Sequence, residues 1–254
     1  MVNVNKGITI VIPVKNEEDS IYPLVEEIIA VGLNKIPNFE LMFIDDGSTD
    51  NTPQVILELK QKYDFINAFK MKYNVGKSGA WQLGFSQAKN DIIVAMDGDL
   101  QNDPNDIKLM FETLEEGYDL VSGRRSKRAD SIWRKIQSRI ANNVRCFFLK
   151  DNTSDSGCGL KMFRKQCLKK IPMFTGCHRF MEALFLMNGF KVKQIPVNDR
   201  TRRFGIPKYG LKNRLIRPFI DMLGVFWIRR RVISYSFKKL ESKEEYQSSK
   251  NAYF

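Results

Sequence analysis

Histidine and paired cysteines are scarce in this sequence of 254 residues. It has one histidine, His178, and four cysteines that lie about ten residues apart without a C-x-x-C pair. Zinc sites need closely spaced Cys and His ligands, and disulfide frameworks belong to oxidising compartments. The pattern therefore favours buried, reduced thiols and a cytosolic protein over a zinc site or a disulfide scaffold.

Long hydrophobic runs are also missing. The longest apolar stretch near the C-terminus, PFIDMLGVFWI (218–228), contains Asp221 and is far shorter than the roughly 20 residues that span a bilayer. The apolar segment 8–14 is interrupted by Pro13 and followed by KNEED, which is unlike a secretory signal peptide. We expect neither a transmembrane helix nor a signal peptide.

Acidic residues are nearly absent from one segment. Residues 200–240 contain twelve Lys and Arg but a single acid, Asp221, whereas the formal net charge of the whole chain is +12. The rest of the chain is thus almost neutral. A basic segment next to a neutral body predicts an anionic surface or ligand at one end of the protein.

Short apolar runs alternate with helical patterns through the first hundred residues. The predicted strands are 8–14, 39–47, 65–71 and 91–96, and the predicted helices are 18–33, 52–63 and 78–89, with Thr52 as a helix cap and a further helix starting at Asp103-Pro104. This alternation predicts an α/β fold with a mostly parallel central sheet and helices on both faces.

Three acid-bearing segments follow predicted strands: PVKNEE, DDGSTDNT and DGDLQNDP. Ligands of such sheets bind beyond the carboxyl ends of the strands. Asp97 and Asp99 repel each other unless a cation lies between them, and Gln101 adds a neutral oxygen. Oxygen ligands suit Mg²⁺ or Mn²⁺, and a metal that neutralises a diphosphate makes it a better leaving group.

A nucleotide-diphosphate donor fits the neighbouring segments. Asp45 or Asp46 could meet ribose hydroxyls or base edges. The glycine-rich turn NVGKSGA places Gly76 and Lys77 close to a helix start, where phosphate binds. It lacks the spacing of a P-loop.

The segments PVKNE, DDGSTDNT, NVGKSGAWQLGF and DGDLQNDP, in this order, resemble family 2 glycosyltransferases of the GT-A fold. The resemblance covers residues 7–210, and D-x-D-L-Q-x-x-P is most similar to the dolichyl- or polyprenyl-phosphate sugar synthases. It implies a metal held by Asp97, Asp99 and Gln101. The implied nucleotide-sugar contacts are Pro13, Asn16, Glu17, Asp45 or Asp46, Gly76, Lys77 and Asp97.

The second half resembles the same branch. VSGRRSKR, IWRKIQSRI and TRRFGIPKYG are similar to segments that hold the lipid phosphate. They imply acceptor contacts at Arg124, Arg134, Ser138, Arg202 and Lys208, with Asp97, Asp99, Arg124 and Arg134 as the catalytic set. The chain departs from the family pattern at three positions, with Arg125 in place of Tyr, and Cys158 and Pro207 in place of Ser.

The resemblance implies a metal-dependent, inverting transfer of one hexose from a UDP- or GDP-sugar to undecaprenyl or dolichyl phosphate. A phosphate acceptor is already ionised near neutral pH, so it needs a general base less than a hydroxyl does. Three alternatives remain open: transfer to a sugar hydroxyl of an envelope glycan, with Asp155 as a base; a nucleotide-binding scaffold without turnover; and a basic nucleic-acid-binding protein, although no nucleic-acid motif is present.

The basic C-terminal segment combines apolar residues at helical spacing with flanking cations. This pattern favours helices that lie in the interface of an anionic membrane, with Pro218 starting or kinking a helix. We expect a catalytic domain at 1–210, membrane-interface helices at 211–240 and a polar, disordered tail at 241–254. The expected location is the cytoplasmic face of the inner membrane, and the sequence leaves the oligomeric state open.

Overall fold

The protein is described here from a computed structural model that covers residues 7–125, 142–201 and 211–233. The described strands are β1 Ile8–Val14, β2 Glu40–Asp45, β3 Ile66–Lys70, β4 Ile92–Ala95, β5 Leu120–Arg125, β6 Lys161–Arg164 and β7 Val192–Val197. The α-helices are α1 Glu18–Ala30, α2 Thr52–Lys62, α3 Lys77–Gln87, α4 Asp106–Glu115, α5 142–149, α6 Met181–Met187 and α7 Leu211–Arg229. The predicted alternation of strands and helices is confirmed.

The strands form one seven-stranded sheet in the order β3-β2-β1-β4-β6-β5-β7. All neighbouring strands are parallel except those that pair with β6, which runs antiparallel to both β4 and β5. Strands β1 to β5 and β7 therefore all end at one edge of the sheet, where β6 begins. We call this the carboxyl edge.

Helices cover both faces of the sheet, as predicted. On one face α1, α2 and α4 bury residues such as Ile21, Ile56 and Met110. On the other face α3, α6 and α7 bury Trp81, Phe185 and Met222. Strands covered on both sides must be apolar on both sides, and β2 is buried along its whole length. The two layers fix the strand ends that form the carboxyl edge.

Two local predictions were wrong. Helix α4 begins at Asp106 rather than at Asp103-Pro104, because Asp103 uses its carboxylate to accept the Asn105 N–H (3.0 Å) in a turn that precedes the helix. Thr52 is the first helical residue of α2 and not its cap. Its hydroxyl instead accepts a hydrogen bond from the backbone N–H of Glu17 (2.9 Å) in the loop after β1.

The C-terminal helix α7 continues through Pro218, so the proline neither starts a new helix nor ends one. In the part of the chain that the structure describes, no helix combines the length and hydropathy needed to cross a membrane. The four cysteines are free, and three of them are buried. Burial raises the pKa of the Cys177 thiol, and burial together with Asp119 raises that of Cys167 to about 11, which keeps both thiols protonated.

Candidate active site

The loops that follow β1 and β2 are joined by hydrogen bonds at the carboxyl edge. The backbone N–H of Asn16 donates to Ser48 Oγ (2.9 Å), and the backbone N–H of Thr49 donates to Asn16 Oδ1 (2.8 Å). Asn16 adopts a positive φ of 50°, a conformation that Asn tolerates better than most residues. The segments KNE and GSTD thus form one continuous wall.

The two neighbouring acids after β2 have different roles. The Asp46 carboxylate accepts the backbone N–H groups of Val75 (2.7 Å) and Gly76 (2.9 Å), so both of its oxygens hold the glycine-rich loop. Asp45 Oδ1 accepts the Ser48 N–H (2.8 Å), while its buried Oδ2 has no hydrogen-bond partner within the described residues. The Lys70 ammonium lies 3.9 Å from Asp45 Oδ2. Both oxygens of Asp46 are therefore used to hold the glycine-rich loop, whereas Asp45 Oδ2 can still accept a hydrogen bond.

The glycine-rich loop meets the acidic loop after β4. The Lys77 ammonium group, at the first residue of α3, contacts Asp97 Oδ1 and lies 5.0 Å from the centre of the Trp81 ring. The Asp97 carboxylate also lies against Gly159, where an added Cβ would collide with it. A larger residue at position 159 would force the Asp97 carboxylate to move. A carboxylate, an ammonium group and the segment before β6 thus come together at one point.

The acidic loop itself is held in a tight conformation. Asn102 Oδ1 accepts the Asp97 N–H (3.0 Å), and Asp99 Oδ1 accepts the Gln101 N–H (3.3 Å). Leu100 is buried and adopts a positive φ of 63°. Such a conformation is uncommon for a bulky residue and persists only where the surroundings impose it. Hydrogen bonds and packing thus hold the acidic loop, with Asp97 and Asp99, in one defined conformation.

The donor set fits a hard divalent cation. Two carboxylates and an amide, from Asp97, Asp99 and Gln101, are oxygen donors of the type that Mg²⁺ and Mn²⁺ accept together with substrate phosphates. The Lys77 ammonium beside Asp97 shows that this position favours positive charge. No cluster of three or more His, Cys, Asp or Glu side chains that could hold a metal occurs in the described ranges. A cation would thus rely on Gln101 and on the phosphates of a substrate.

The predicted acceptor residues are only partly described. Arg124 is exposed near the end of β5, on the same carboxyl edge as Asp97. The neighbouring Arg125 forms two 2.8 Å hydrogen bonds with the Asp155 carboxylate. This pairing outweighs burial and raises the pKa of Arg125. Four further predicted residues lie outside the described residues: Arg134, Ser138, Arg202 and Lys208.

His178 lies beside the same site, a role that the sequence analysis missed. The backbone N–H groups of Gly176 (3.1 Å) and His178 (3.4 Å) both donate to Ser78 Oγ, which leaves the Ser78 hydroxyl proton for His178 Nδ1, 2.7 Å away. Burial, followed by the charges of Lys77, Arg179 and Lys161, lowers the pKa of His178 to about 2. The imidazole is therefore neutral, and its proton resides on Nε2.

A second missed feature is a buried ion pair between Lys161 and Glu182. Lys161 Nζ contacts Glu182 Oε1, both side chains are fully buried, and Ser122 Oγ donates to the same oxygen at 2.5 Å. Glu182 Oε2 has no hydrogen-bond partner within the described residues. The sequence signal was a single charge within each of the apolar segments KMF and MEALFLM. The pair joins β6 to α6.

A comparison with known protein families shows which family this chain belongs to. The model of Glycosyl transferase family 2 matches residues 9–172. The chain belongs to this family. It is therefore a glycosyltransferase, as the four ordered motifs predicted.

Two relatives show the branch of the family. Undecaprenyl-phosphate 4-deoxy-4-formamido-L-arabinose transferase of Photorhabdus laumondii is 33% identical over 219 residues, which cover 86% of this chain and 67% of that protein. Dodecaprenyl-phosphate galacturonate synthase of Rhizobium johnstonii is 34% identical over 232 residues, which cover 88% of this chain and 67% of that protein. The predicted similarity to polyprenyl-phosphate sugar synthases is confirmed, and this glycosyltransferase spans about two thirds of the length of these relatives.

Solved structures confirm the GT-A fold. Glucosyl-3-phosphoglycerate synthase from Mycobacterium tuberculosis, in complex with Mn²⁺, uridine diphosphate and glucosyl-3-phosphoglycerate, matches with a TM-score of 0.67 at 19% sequence identity. The match covers 91% of this chain and 82% of that chain. The complex of the same enzyme with phosphoglyceric acid matches equally well. At this identity the likeness establishes the fold.

Proposed function

We propose that this glycosyltransferase transfers one sugar, expected to be a hexose, from a nucleotide-diphosphate sugar to a polyprenyl phosphate. One observation carries the proposal: Lys77 of the glycine-rich loop contacts Asp97 of the acidic loop. A group that suits a phosphate and a group that suits a cation therefore lie side by side at the carboxyl edge. The names of the two relatives supply the class of acceptor.

The donor would lie along the wall formed by the loops after β1 and β2. Asn16 and Glu17 belong to these loops, Pro13 lies just before them in β1, and Asp45 is the acid with a carboxylate oxygen still available to a nucleoside. Asp46 would act indirectly, by holding Val75 and Gly76 in place. Lys77 would then exchange its contact with Asp97 for the donor diphosphate.

A bound Mg²⁺ or Mn²⁺, held by Asp97, Asp99 and Gln101, would supply charge stabilisation for the departing diphosphate. Lys77 would share that task from the opposite loop. The acceptor phosphate would be oriented by Arg124, together with Arg134, Ser138, Arg202 and Lys208, because guanidinium groups match phosphate oxygens in a fork geometry. Attack from the face opposite the diphosphate would invert the anomeric centre.

The geometry gives less support to transfer onto a sugar hydroxyl. That reaction needs a base, and the candidate Asp155 is buried and paired with Arg125 through two hydrogen bonds. Arg125 thus occupies both oxygens of the Asp155 carboxylate, which leaves neither directed at an acceptor hydroxyl. Family membership also removes the basis for the nucleic-acid-binding and scaffold alternatives.

The proposal includes a peripheral position on an anionic membrane, at its cytoplasmic face. On α7, Phe219, Leu223 and Trp227 are exposed, while Met222 and Val225 face the core. Arg230 and Arg231 lie over the rings of Phe226 and Trp227, with 4.5 Å and 4.3 Å from guanidinium carbon to ring centre. Aromatic residues flanked by cations suit a helix in the interface of anionic lipids.

The test is a transfer assay with radiolabelled UDP- and GDP-sugars, Mn²⁺ or Mg²⁺, and undecaprenyl or dolichyl phosphate. We expect organic-extractable label with one donor, and its loss in Asp99→Asn. Asp91→Asn, at the opposite end of β4 and exposed, is the matched control and should retain activity. Absence of extractable label with every common donor would refute the acceptor class.

A further inference from the structure

The segment that follows β7 runs alongside the acidic loop. Asn102 and Asp199 form an antiparallel bridge. The backbone N–H of Arg200 donates to the Gln101 carbonyl oxygen at 3.0 Å. Just before this bridge in the chain, the backbone N–H of Asn198 donates to Asp106 Oδ2, at the start of α4, at 2.8 Å. The acidic loop is thus paired with the backbone that leads into Arg202.

The Arg200 side chain fixes this backbone from two sides. Its guanidinium group lies 2.6 Å from Glu27 Oε2 on α1 and 2.9 Å from Asp103 Oδ1 in the acidic loop. Both carboxylates are mostly buried, with 26% and 14% of their side-chain areas exposed. A guanidinium group that bridges two partly buried carboxylates holds a more defined position than a surface ion pair does.

The consequence falls on the amide of Gln101. Its Nε2 donates to the backbone carbonyl oxygen of Arg200 at 3.2 Å. A carbonyl oxygen can only accept, so the Gln101 side chain must turn its NH₂ group toward Arg200. The amide oxygen is then the end that remains for a cation. Without a fixed Arg200 backbone, the amide could rotate and present its nitrogen, which does not ligate a hard cation.

We infer that Arg200 is a positioning residue for the metal, acting through its own backbone on Gln101. The inference rests on the proposed function, since it assumes that the acidic loop binds a divalent cation. Neither α1 nor the end of β7 contributes a predicted metal ligand, yet Glu27 and Arg200 connect both to the loop. The same guanidinium group also anchors the start of the segment that carries Arg202 and Lys208.

The test measures Mn²⁺ binding directly, by water-proton relaxation, on the full chain with and without UDP or GDP. Arg200→Met keeps the apolar stem and removes the guanidinium group. We expect Mn²⁺ affinity to fall about 10- to 100-fold, the effect typical of groups that orient metal ligands. Arg164→Met is the matched control, because the Arg164 guanidinium group likewise makes two contacts, at Glu115 Oε1 (3.2 Å) and the Leu114 carbonyl oxygen (3.1 Å), but away from the acidic loop. It should leave Mn²⁺ affinity unchanged.

A double-mutant cycle separates positioning from general loosening. In a Gln101→Ala background, Arg200→Met should add less than about threefold, because the amide on which it acts is gone. Equal losses in both backgrounds, or unchanged Mn²⁺ affinity in Arg200→Met, would overturn the inference while leaving the proposed transfer intact. Absence of Mn²⁺ binding by the wild type would overturn it together with the metal assignment. The transfer assay reports separately on the acceptor.

Discussion

The Lys77 ammonium group contacts the Asp97 carboxylate, although the two residues belong to different loops. Asp97 is the first of the predicted metal ligands, and Lys77 is the residue predicted to bind the donor phosphates. An ammonium ion and a divalent cation compete for the same carboxylate oxygen. Under the proposed function, Lys77 would neutralise Asp97 until a metal ion and a nucleotide diphosphate bind together.

Replacing Lys77 by Met should affect two ligands in opposite directions. Without nucleotide, Mn²⁺ affinity should rise several-fold, because the competing ammonium group is removed. Affinity for a nucleoside diphosphate should fall about tenfold or more, since a hydrogen bond to a charged group contributes about 1.5–3 kcal/mol. Titrations of Mn²⁺ alone, and of UDP or GDP with Mn²⁺ present, check both changes. A fall in both affinities would mean that Lys77 merely supports the loop.

The apolar stripe on α7 gives a membrane prediction. Phe219→Ser and Trp227→Ser should each weaken binding to vesicles that contain anionic lipid by about tenfold, given about 1.5 kcal/mol or more for each large apolar side chain transferred from water. The measurement is vesicle co-sedimentation at two salt concentrations. Leu57→Ser and Leu109→Ser are the controls, because these leucines are 56% and 46% exposed but lie on α2 and α4. Equal losses in all four variants would argue against a specific docking helix.

His178 predicts how stability depends on pH. Its pKa falls from an ordinary value of 6.5 to about 2 in the folded chain, so the unfolded chain binds a proton below pH 6.5 and the folded chain does not. The stability that comes from keeping His178 neutral is complete above pH 6.5 and is lost as the pH falls below that value. At pH 5, protonation of His178 in the unfolded chain should lower the unfolding free energy of the wild type by about 2 kcal/mol. His178→Asn keeps an acceptor for Ser78 without titrating.

Denaturant unfolding of the two proteins between pH 7.5 and 5 checks this effect. The wild type should lose about 2 kcal/mol more than His178→Asn over that range. Parallel curves would mean that His178 protonates normally in the folded chain. The comparison does not depend on catalysis, so it holds whatever sugar the enzyme uses.

The sequence predicted the first half of the fold well because each strand there ends in recognisable chemistry. The apolar run before Asp97 and the paired acids after β2 mark strand ends directly. Parallel strands carry those ends to one edge, so the convergence of the motifs followed from the strand pattern. Family resemblance added the identity of the fold, which the pattern alone leaves open.

The second half was harder to predict because its key contacts join distant segments. Strand β6 consists of the four residues KMFR and inserts antiparallel between β4 and β5, an arrangement that no local pattern reveals. Arg125 looked like an odd replacement for tyrosine, yet it pairs with Asp155, thirty residues away. Arg200 looked like one more cation in a basic segment. Each contact depends on tertiary structure rather than on spacing.

The buried pair of Lys161 and Glu182 gives a prediction about stability. Removing one partner, in Lys161→Met or Glu182→Leu, leaves a fully buried charge without compensation and should cost about 3–5 kcal/mol of unfolding free energy. Replacing both residues removes both charges, so the double variant should recover much of that loss. Lys89→Met is a suitable control, because Lys89 is 74% exposed and lies 3.8 Å from Glu40, a pair worth about 1 kcal/mol or less.

Denaturant unfolding of the four variants measures these differences. Strong coupling between Lys161 and Glu182 would show that the pair is a structural tie between β6 and α6. Additive losses in the double variant would instead mean that each side chain has its own partners. A further outcome concerns catalysis, because β6 begins next to Gly159, against which Asp97 packs. If the double variant is stable but transfers sugar more slowly, the Lys161–Glu182 pair also contributes to the geometry of the acidic loop.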